Sequence, residues 1–173
     1  MSKEAKKASL SIRKYGDPIL RRRAQEISRV DKKIRELASQ MLETLKDAKG
    51  IALAANQVGE ELRLIVVDYQ SVKTDAPPLI LINPVMLESR GEQSEEEGCL
   101  SIPGTFAHVT RPLEIKVRGM DLNEKEIVVQ AEGVLSRVLA HEIDHLDGIL
   151  FIDHLSSIKR SLLSRKLRKI AAS

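Results

Sequence analysis

The stretch VLSRVLAHEIDHLDG, residues 134–148, predicts the element around which the fold is built. Its apolar residues cover a surface wider than the single stripe of a helix that lies at a protein surface. They are Val134, Leu135, Val138, Leu139, Ala140, Ile143 and Leu146. We therefore expect a helix from about residue 133 to 147 that other elements bury on several sides.

The sequence on either side of this helix predicts an α+β fold. A first helix is expected at about 31–48, opened by an Asp31 cap and ended at Gly50, and a third at about 156–170. Runs bounded by turn-forming residues predict strands, which are LRLIVVDY at 62–69, LILINPVMLESR at 79–90, residues 107–118, and EIVVQAE at 126–132. This order of elements is typical of the α+β class. We expect antiparallel or mixed β-sheets packed around the central helix, with one N-terminal and one C-terminal helix.

The composition predicts one domain, residues 1–173, in the cytoplasm. With 42% hydrophobic residues and no break in composition, the chain can bury one core of ordinary size. No apolar run approaches the length of a membrane span, and MSKEAKKASL at the start lacks the apolar region of a secretory signal. Cys99 is the single cysteine, which suits a reducing compartment. Because a net charge of +3 is too small to indicate a nucleic acid substrate, we expect neither DNA nor a membrane as partner.

The motif HEIDH at 141–145, inside the central helix, predicts a metal site. Residues four apart share a helix face, so His141 and His145 can reach one cation, and Glu142 leans toward the cation's open position. A pattern this short also arises by chance, and helical histidines are often only hydrogen-bonded. Burial favours the metal, because two imidazoles and a carboxylate on so apolar a helix are costly to bury unpaired.

A catalytic site of this kind needs a third protein ligand. The metzincin continuation fails because its ligand position holds Phe151, and the thermolysin-like continuation fails because no glutamate follows Glu142. The remaining candidates are Cys99, Asp147, Asp153 and His154. The last three follow the helix too closely to fold back easily onto its face, whereas Cys99 can approach from a strand and Gly98 allows a close approach. A lone cysteine is otherwise most often a small buried hydrophobe.

Three motifs, in order along the chain, resemble those of the peptide deformylase family. The general forms GxGLAAxQxG, EGCLS and QHExDHL correspond to GIALAANQVG at 50–59, EGCLS at 97–101 and AHEIDHLDG at 140–148. IRKYGDPILRRRAQEI, at 12–27, also resembles the family's N-terminal segment, so the resemblance spans nearly the whole chain. Ala52 and Ala140 replace the usual glycine and glutamine, and neither change removes a ligand or an acid–base group. Glu97, inside the second motif, is expected to pair with an arginine such as Arg111.

The resemblance implies a metal-dependent hydrolase that removes the formyl group from the N-terminal formylmethionine of nascent polypeptides. The implied ligands are Cys99, His141 and His145, holding a divalent ion that is typically Fe2+ in this family, with Zn2+, Ni2+ or Co2+ as alternatives. Glu142 is implied as general base and then general acid for the attack of water, activated by the metal, on the formyl carbon. Gln57 and the backbone N–H of Leu100 are implied as donors to the charge that develops on oxygen.

The resemblance also implies where the peptide binds. An extended substrate is expected to pair by strand addition between two backbone segments, with the methionine side chain in an apolar pocket. The residues of this expected surface are Gly50, Ile51, Ala52, Gly98, Val134 and Val138. Taken alone, GIALAANQVG also fits a plain structural turn with small residues in close packing.

The C-terminal segment, residues 155–173, predicts a basic helix, because it holds six Lys and Arg residues and no acidic one. Its apolar residues, which alternate with the basic ones, are Ile158, Leu162, Leu163, Leu167 and Ile170, and the leucines are expected to pack on the protein. Bacterial members of the family with a similar layout dock on the ribosome through such a helix. A solvated basic face without a partner is the alternative.

Two other classes of function stay open on the residues alone. A metalloprotease of the HExxH type would cut internal bonds of unfolded protein, and a non-catalytic metal or redox sensor would bind metal without turnover. The missing third zincin ligand argues against the protease. Glu142 beside an open metal position argues against the sensor.

Overall fold

The computed structural model describes residues 8–68 and 75–173 of the chain. The α-helices in these ranges are α1 (Lys32–Asp47), α2 (Val134–Leu146) and α3 (Ser157–Ala171). The strands are β1 (Ala52–Ala54), β2 (Leu64–Val67), β3 (Leu79–Arg90), β4 (Gln93–Cys99), β5 (Ile102–Arg111), β6 (Glu114–Met120) and β7 (Glu126–Glu132). The predicted α+β class is confirmed, with α2 as the helix that carries HEIDH.

The strands form a five-stranded sheet and a separate hairpin. The sheet has the order β1-β2-β3-β6-β7, the hairpin consists of β4 and β5, and every pair of these strands is antiparallel. The register of the sheet places Leu53 beside Val66 and Val66 beside Ile80. The hairpin therefore stands apart from the sheet, and its end at Cys99 can reach α2 from another direction.

Strand β2 is covered on both faces, which explains its unbroken apolar sequence LIVV. Ile65 and Val67 belong to the cluster of buried side chains that includes Leu139 and Ile143 of α2. Leu64 and Val66 face the opposite cluster, which includes Met41 and Leu45 of α1. The sheet thus separates α1 from α2, and α2, which carries HEIDH, packs against one face of this sheet.

Helix α1 begins where the sequence predicts. The carboxylate of Asp31 accepts a hydrogen bond from the Ile34 backbone N–H at 3.0 Å, as an N-terminal cap should. The helix ends at Asp47, and Lys49 then adopts a left-handed conformation with φ of 54°. This reversal directs the chain from α1 into the segment that leads to β1.

The predicted strand at 107–118 is wrong as one element, because the chain passes from one sheet to the other inside it. Strand β5 of the hairpin ends at Arg111, and β6 of the five-stranded sheet begins at Glu114. Pro112 lies between them and has no N–H to continue a ladder. The sequence reading also missed β1 and the acidic strand β4, and the predicted strand at 62–69 has its last residue, Tyr69, outside the described residues.

Helix α3 packs with a narrower apolar face than the sequence predicts. Leu167 is buried, and Leu163 and Ile170 pack with it against the cluster under the hairpin. Ile158 and Leu162, by contrast, are 74% and 80% exposed. The expectation that the leucines of this helix pack on the protein is therefore wrong for Leu162, because only one side of this helix meets the hairpin.

Among residues 8–68 and 75–173, no helix combines the length and the apolar character needed to cross a bilayer.

Candidate metal centre

Helix α2 brings the two histidines of HEIDH together as their spacing predicts. The Nε2 atoms of His141 and His145 are 3.0 Å apart, and both side chains are buried. The His141 ring also stacks near Phe151, with ring centroids 6.3 Å apart. Phe151 thus occupies the metzincin ligand position as a packing partner of a histidine.

Cys99, at the end of β4, completes the cluster. Its Sγ lies 3.3 Å from Nε2 of His145, and one ligand atom from each of Cys99, His141 and His145 lies within 4.8 Å of the others. The register of the hairpin shifts between Glu97 and Cys99, and such an irregularity re-aims a side chain. The structure therefore joins the three predicted ligands across two separate elements.

The donor set fits a divalent metal ion. One sulfur and two imidazole nitrogens suit zinc, iron and similar ions, and three protein ligands leave a position for water or substrate. Glu142 lies next to this set, is 4% exposed, and its Oε2 is buried with no hydrogen-bond partner in the part of the chain that the structure describes. Burial raises the pKa of Glu142 to about 7. A buried carboxylate with a free oxygen beside converging ligands is what a water-activating site requires.

The orientation of His141 is fixed by Glu97, whose predicted pairing with Arg111 is confirmed. Glu97 contacts Nδ1 of His141 and receives two hydrogen bonds from Arg111, at 2.8 and 3.2 Å. Burial alone would raise the pKa of Glu97, but the hydrogen bonds from His141 and Arg111 lower it to about 2. Arg111 also pairs with Asp144 of α2, so one buried arginine ties the hairpin to the helix. Such a carboxylate behind a ligand fixes the ring orientation.

Metal binding at this cluster is coupled to the protonation of His141. Burial lowers the pKa of His141, but hydrogen bonds to Cys99 and Glu97 and the charge of Glu142 outweigh burial and raise it to about 10. The pKa of His145 is lowered, first by burial and then by the charge of His141. Because ligands must be deprotonated, loading of this site releases protons.

The other three candidates for the third ligand interact with charged side chains outside the cluster. His154 contacts Asp144 at 2.7 Å, Asp147 pairs with Arg63 at 3.0 Å, and Asp153 pairs with Arg21. In the described ranges, the group able to hold a metal contains none of these three. The preference for Cys99 over these residues agrees with the geometry.

Gln57 points its amide nitrogen into the cluster. Its Oε1 accepts a hydrogen bond from the Ala54 N–H at 2.9 Å, which leaves Nε2 directed at Ser101 Oγ, 3.2 Å away, and Cys99 Sγ, 3.5 Å away. Gln57 is buried in the short 3₁₀ helix Ala55–Val58. The backbone of GIALAANQVG thus forms β1 and this 3₁₀ helix instead of the plain structural turn that was the alternative, and its one long polar side chain reaches the site. Ser101, which sequence reasoning missed, is a buried hydroxyl two residues after the ligand.

The cluster lies at the base of a cleft of about 730 Å³. Each residue of the expected binding surface lines it, namely Gly50, Ile51, Ala52, Gly98, Val134 and Val138, together with Leu100 and Gln57. A Cβ on Gly50 would lie 2.8 Å from Leu100 Cδ1 and 2.9 Å from Leu45 Cδ1, so a larger residue there would force these leucine side chains to shift. Ala52 is buried at the wall, and its methyl group is the one departure that faces this cleft.

Phe106 and Arg137 also line the cleft and were not singled out by sequence reasoning. The Phe106 ring covers Gly98 so closely that a Cβ there would lie 2.6 Å from Cε1. Phe106 is nevertheless 60% exposed, which is unusual for a large aromatic side chain. Arg137 lies one helical turn before His141, and that spacing was the available signal.

Comparison with known proteins gives one consistent result. A sequence model described as polypeptide deformylase matches residues 9–161. A peptide deformylase of Thermodesulfovibrio yellowstonii is 46% identical over 161 residues, covering 93% of this chain and 98% of that protein. One from Mesorhizobium japonicum is 47% identical, covering 90% and 89%. The crystal structure of a peptide deformylase from Legionella pneumophila superposes with a TM-score of 0.88 at 39% identity, covering 94% of this chain and 95% of the other.

Proposed function

The chain belongs to the polypeptide deformylase family, and we propose that it is a hydrolase that removes the formyl group from the N-terminal formylmethionine of nascent peptides. The observation that carries this proposal is the meeting of Cys99, His141 and His145 beside the buried carboxylate of Glu142, at the base of a peptide-sized cleft. The geometry supports hydrolysis of an amide by an activated water molecule.

Cys99, His141 and His145 would hold one divalent ion, for which we propose Fe2+, with Zn2+, Ni2+ or Co2+ able to replace it. When bound, such an ion lowers the pKa of water toward neutrality and polarises a carbonyl group. Glu97 keeps the His141 ring turned toward the site from behind. The chain's own contribution is to fix the ligands and to leave one side of the site open to the cleft.

Glu142 moves the proton in the proposed reaction. Its unpartnered Oε2 accepts a proton from the attacking water as the new C–O bond forms at the formyl carbon. The same carboxyl group then donates this proton to the methionine nitrogen as the C–N bond breaks, which yields formate and a free amine. Because Glu142 is buried at the base of the cleft and keeps one oxygen free of other described residues, it can both accept a proton from water and return it to the amine.

Gln57 and Leu100 are proposed to stabilise the charge on the formyl oxygen. The accepted hydrogen bond from Ala54 holds the Gln57 amide with its N–H groups toward the cluster, so no reorientation is needed during reaction. The Leu100 backbone N–H adjoins Cys99 in the chain, and the Leu100 side chain is packed against Gly50. In a closed site such donors are worth about 3 kcal/mol of barrier each.

The peptide is proposed to bind as an added strand. Ile51 and Ala52 lie on one wall of the cleft and Gly98 on the other, and the methionine side chain enters between Ile51, Val134 and Val138. Val134 is 51% exposed and Ile51 36% exposed, which leaves apolar surface for a ligand to cover. Burial of this surface supplies affinity, whereas the backbone pairing sets the position of the formyl group.

Formate release tests the proposal. Anaerobically prepared protein loaded with Fe2+, Zn2+ or Ni2+ is expected to release formate from a formyl-Met-Ala-Ser amide and to leave the acetylated peptide uncut. Cleavage of internal bonds in unfolded casein would indicate the HExxH metalloprotease instead. Metal binding without turnover of either substrate would indicate the sensor.

We propose in addition that α3 docks on the ribosome. Ile158, Leu162, Arg165 and Lys169 share the helix face opposite the buried Leu167, and all four are exposed. Two exposed apolar residues beside two cations suit a surface that offers both phosphate groups and protein side chains. We also propose that the chain acts as one domain in the cytoplasm, where nascent chains are made and a reducing medium keeps Cys99 as a thiol.

Charge reversal tests the docking. The variant Arg165→Glu/Lys169→Glu should bind ribosomes about tenfold more weakly in cosedimentation. Each phosphate contact that is lost reduces the number of counterions released on binding, and this release is what favours the complex. The matched variant Lys33→Glu/Lys125→Glu, at exposed sites on α1 and in the β6–β7 turn, should bind as the unaltered chain does. Equal cosedimentation of all three proteins, or an affinity insensitive to salt, would reject docking through α3.

A further inference from the structure

The cleft has equal numbers of cationic and carboxylate side chains in its lining, but most of the carboxylates are buried, whereas its cations are not. Lys14, Lys49 and Arg137 contribute its cations, and Glu96, Glu97 and Glu142 its carboxylates. Glu97 is held by Arg111 and His141, and Glu142 is buried at the base of the cleft. Only Glu96 is an exposed carboxylate in this lining, so the outer part of the cleft carries an excess of positive charge.

Arg137 is a half-buried cation of the cleft that has no carboxylate partner among the described residues. One terminal nitrogen of its side chain donates to the Glu96 carbonyl at 2.7 Å, and Nε is buried with no hydrogen-bond partner in residues 8–68 and 75–173. No carboxylate lies within 4.0 Å of its guanidinium among the residues that the structure describes. Lys14, by comparison, is engaged with the Leu100 carbonyl at 3.0 Å, and Lys49 is exposed without an ion pair in the same ranges.

The two buried arginines of the described residues are paired with carboxylates, whereas the half-buried Arg137 is not. Arg63 is 7% exposed and pairs with Asp147, and Arg111 is 4% exposed and pairs with Glu97 and Asp144. Burial of a guanidinium is costly unless a carboxylate compensates it. A half-buried arginine that faces a peptide cleft without such a partner is therefore suited to receive the carboxylate from a ligand.

The position of Arg137 corresponds to one residue of an extended peptide. Arg137 precedes His141 by one helical turn, about 6 Å along the axis, and an extended chain covers this distance in about two residues. On the opposite wall, the Glu96 carbonyl that Arg137 contacts lies two residues from Gly98 along β4. For a substrate that runs from Gly98 toward Glu96, with formylmethionine beside Gly98, the third residue lies beside Glu96 and Arg137.

The alternation of side chains supports the same assignment. The first and third residues of a strand project to one face, so the third side chain projects with that of methionine toward α2. Val134 and Val138, which line the methionine pocket, flank Arg137 on this helix. An aspartate or glutamate at the third residue could thus reach the guanidinium without turning the backbone.

We propose that this cleft prefers nascent peptides with an acidic third residue, counting formylmethionine as the first, and that Arg137 is the specificity-determining residue, with Lys49 adding charge at the rim. The inference rests on the proposed deformylase function. The recognised group is a carboxylate, and in short peptides it can come from a side chain or from the free C-terminus. Nascent chains attached to the ribosome have no free C-terminus, so the proposal concerns the side chain.

The test compares C-terminally amidated formyl tetrapeptides that carry Asp, Asn or Lys at the second, third or fourth residue. At the third residue the unaltered protein should show a kcat/KM about tenfold higher for Asp than for Lys. Arg137→Gln should bring this ratio close to one, Arg137→Glu should invert it, and Arg137→Lys should retain most of it. Arg118→Gln, exposed on β6 outside the cleft, is the matched control and should keep the original ratio.

A binding measurement separates this inference from the function. Fluorescence anisotropy of labelled, formylated Asp and Lys peptides should give the same order of affinities in Glu142→Ala protein, and Arg137→Gln added to it should abolish the difference. Deformylation of all peptides at equal rates, or a preference at the second or fourth residue only, would overturn the role of Arg137 and leave the function intact. Failure to deformylate any formyl peptide would contradict the function, and the anisotropy ratio would still decide whether Arg137 recognises the acidic residue.

Discussion

Replacing Glu142 by alanine is expected to lower kcat for a formylmethionyl peptide by about a hundredfold to ten-thousandfold while leaving the metal content unchanged. The carboxylate is buried beside the three ligands, one of its oxygens has no hydrogen-bond partner in the described part of the chain, and it does not belong to the group of converging ligands. Removal of this group therefore takes away the proton acceptor and donor without touching the donor set. The measurement is formate release together with elemental analysis of the same preparation.

Two further variants make this result specific. Glu142→Gln keeps the shape of the side chain and should be nearly as inactive as Glu142→Ala, because an amide cannot accept the proton. Glu132→Ala removes an exposed carboxylate at the end of β7, outside the cleft, and should keep full activity. If Glu142→Ala lost its metal in proportion to its activity, Glu142 would have to be reassigned as a ligand.

Replacing Cys99 by alanine should remove both metal and turnover. The sulfur is the only ligand supplied from the hairpin, and two imidazoles from one helix would then have to hold the ion alone. Changes behind the ligands of a metal site already cost about tenfold to a hundredfold in affinity, so loss of a direct ligand should cost at least that much. Metal content after dialysis against a weak chelator, measured per chain, checks this prediction.

Histidines outside the cluster provide the controls for Cys99→Ala. His108→Ala alters an exposed residue of β5, and the protein should keep its metal. His154→Ala removes the histidine that competed with Cys99 as third ligand in the sequence, and the protein should also keep its metal. Retention of a full metal complement by Cys99→Ala, or its loss from His154→Ala, would show that the third ligand is misassigned.

The features of the fold that the sequence predicted are those with strong local periodicity. Helix α2 was predicted from its wide apolar surface, and the meeting of His141 and His145 follows from a spacing of four on any helix. Strand β4 was missed because Glu95, Glu96 and Glu97 have a low preference for strands. The fold explains why a glutamate can occupy the buried position 97 of this acidic strand, because Glu97 pairs there with the buried Arg111.

Other features depend on which surfaces meet, and a single sequence does not contain that information. The spacing of Ile158 and Leu162 resembles that of buried residues, yet the hairpin covers only the side of α3 that carries Leu167. Cys99 could be chosen as a ligand from residues, but its distance to His145 depends on the shift of register in the hairpin. The sequence shows that Arg137 lies one turn before His141, but only the structure shows that its guanidinium has no carboxylate partner among the described residues.

The most direct test of the account is X-ray absorption spectroscopy at the metal edge of the anaerobically loaded protein. The central claim is that the sulfur of Cys99 and the imidazole nitrogens of His141 and His145 bind the same ion. We expect one sulfur and two imidazole nitrogens in the first coordination shell of the unaltered protein, and no sulfur in that of Cys99→Ala. A shell made only of nitrogen and oxygen atoms in the unaltered protein would contradict it.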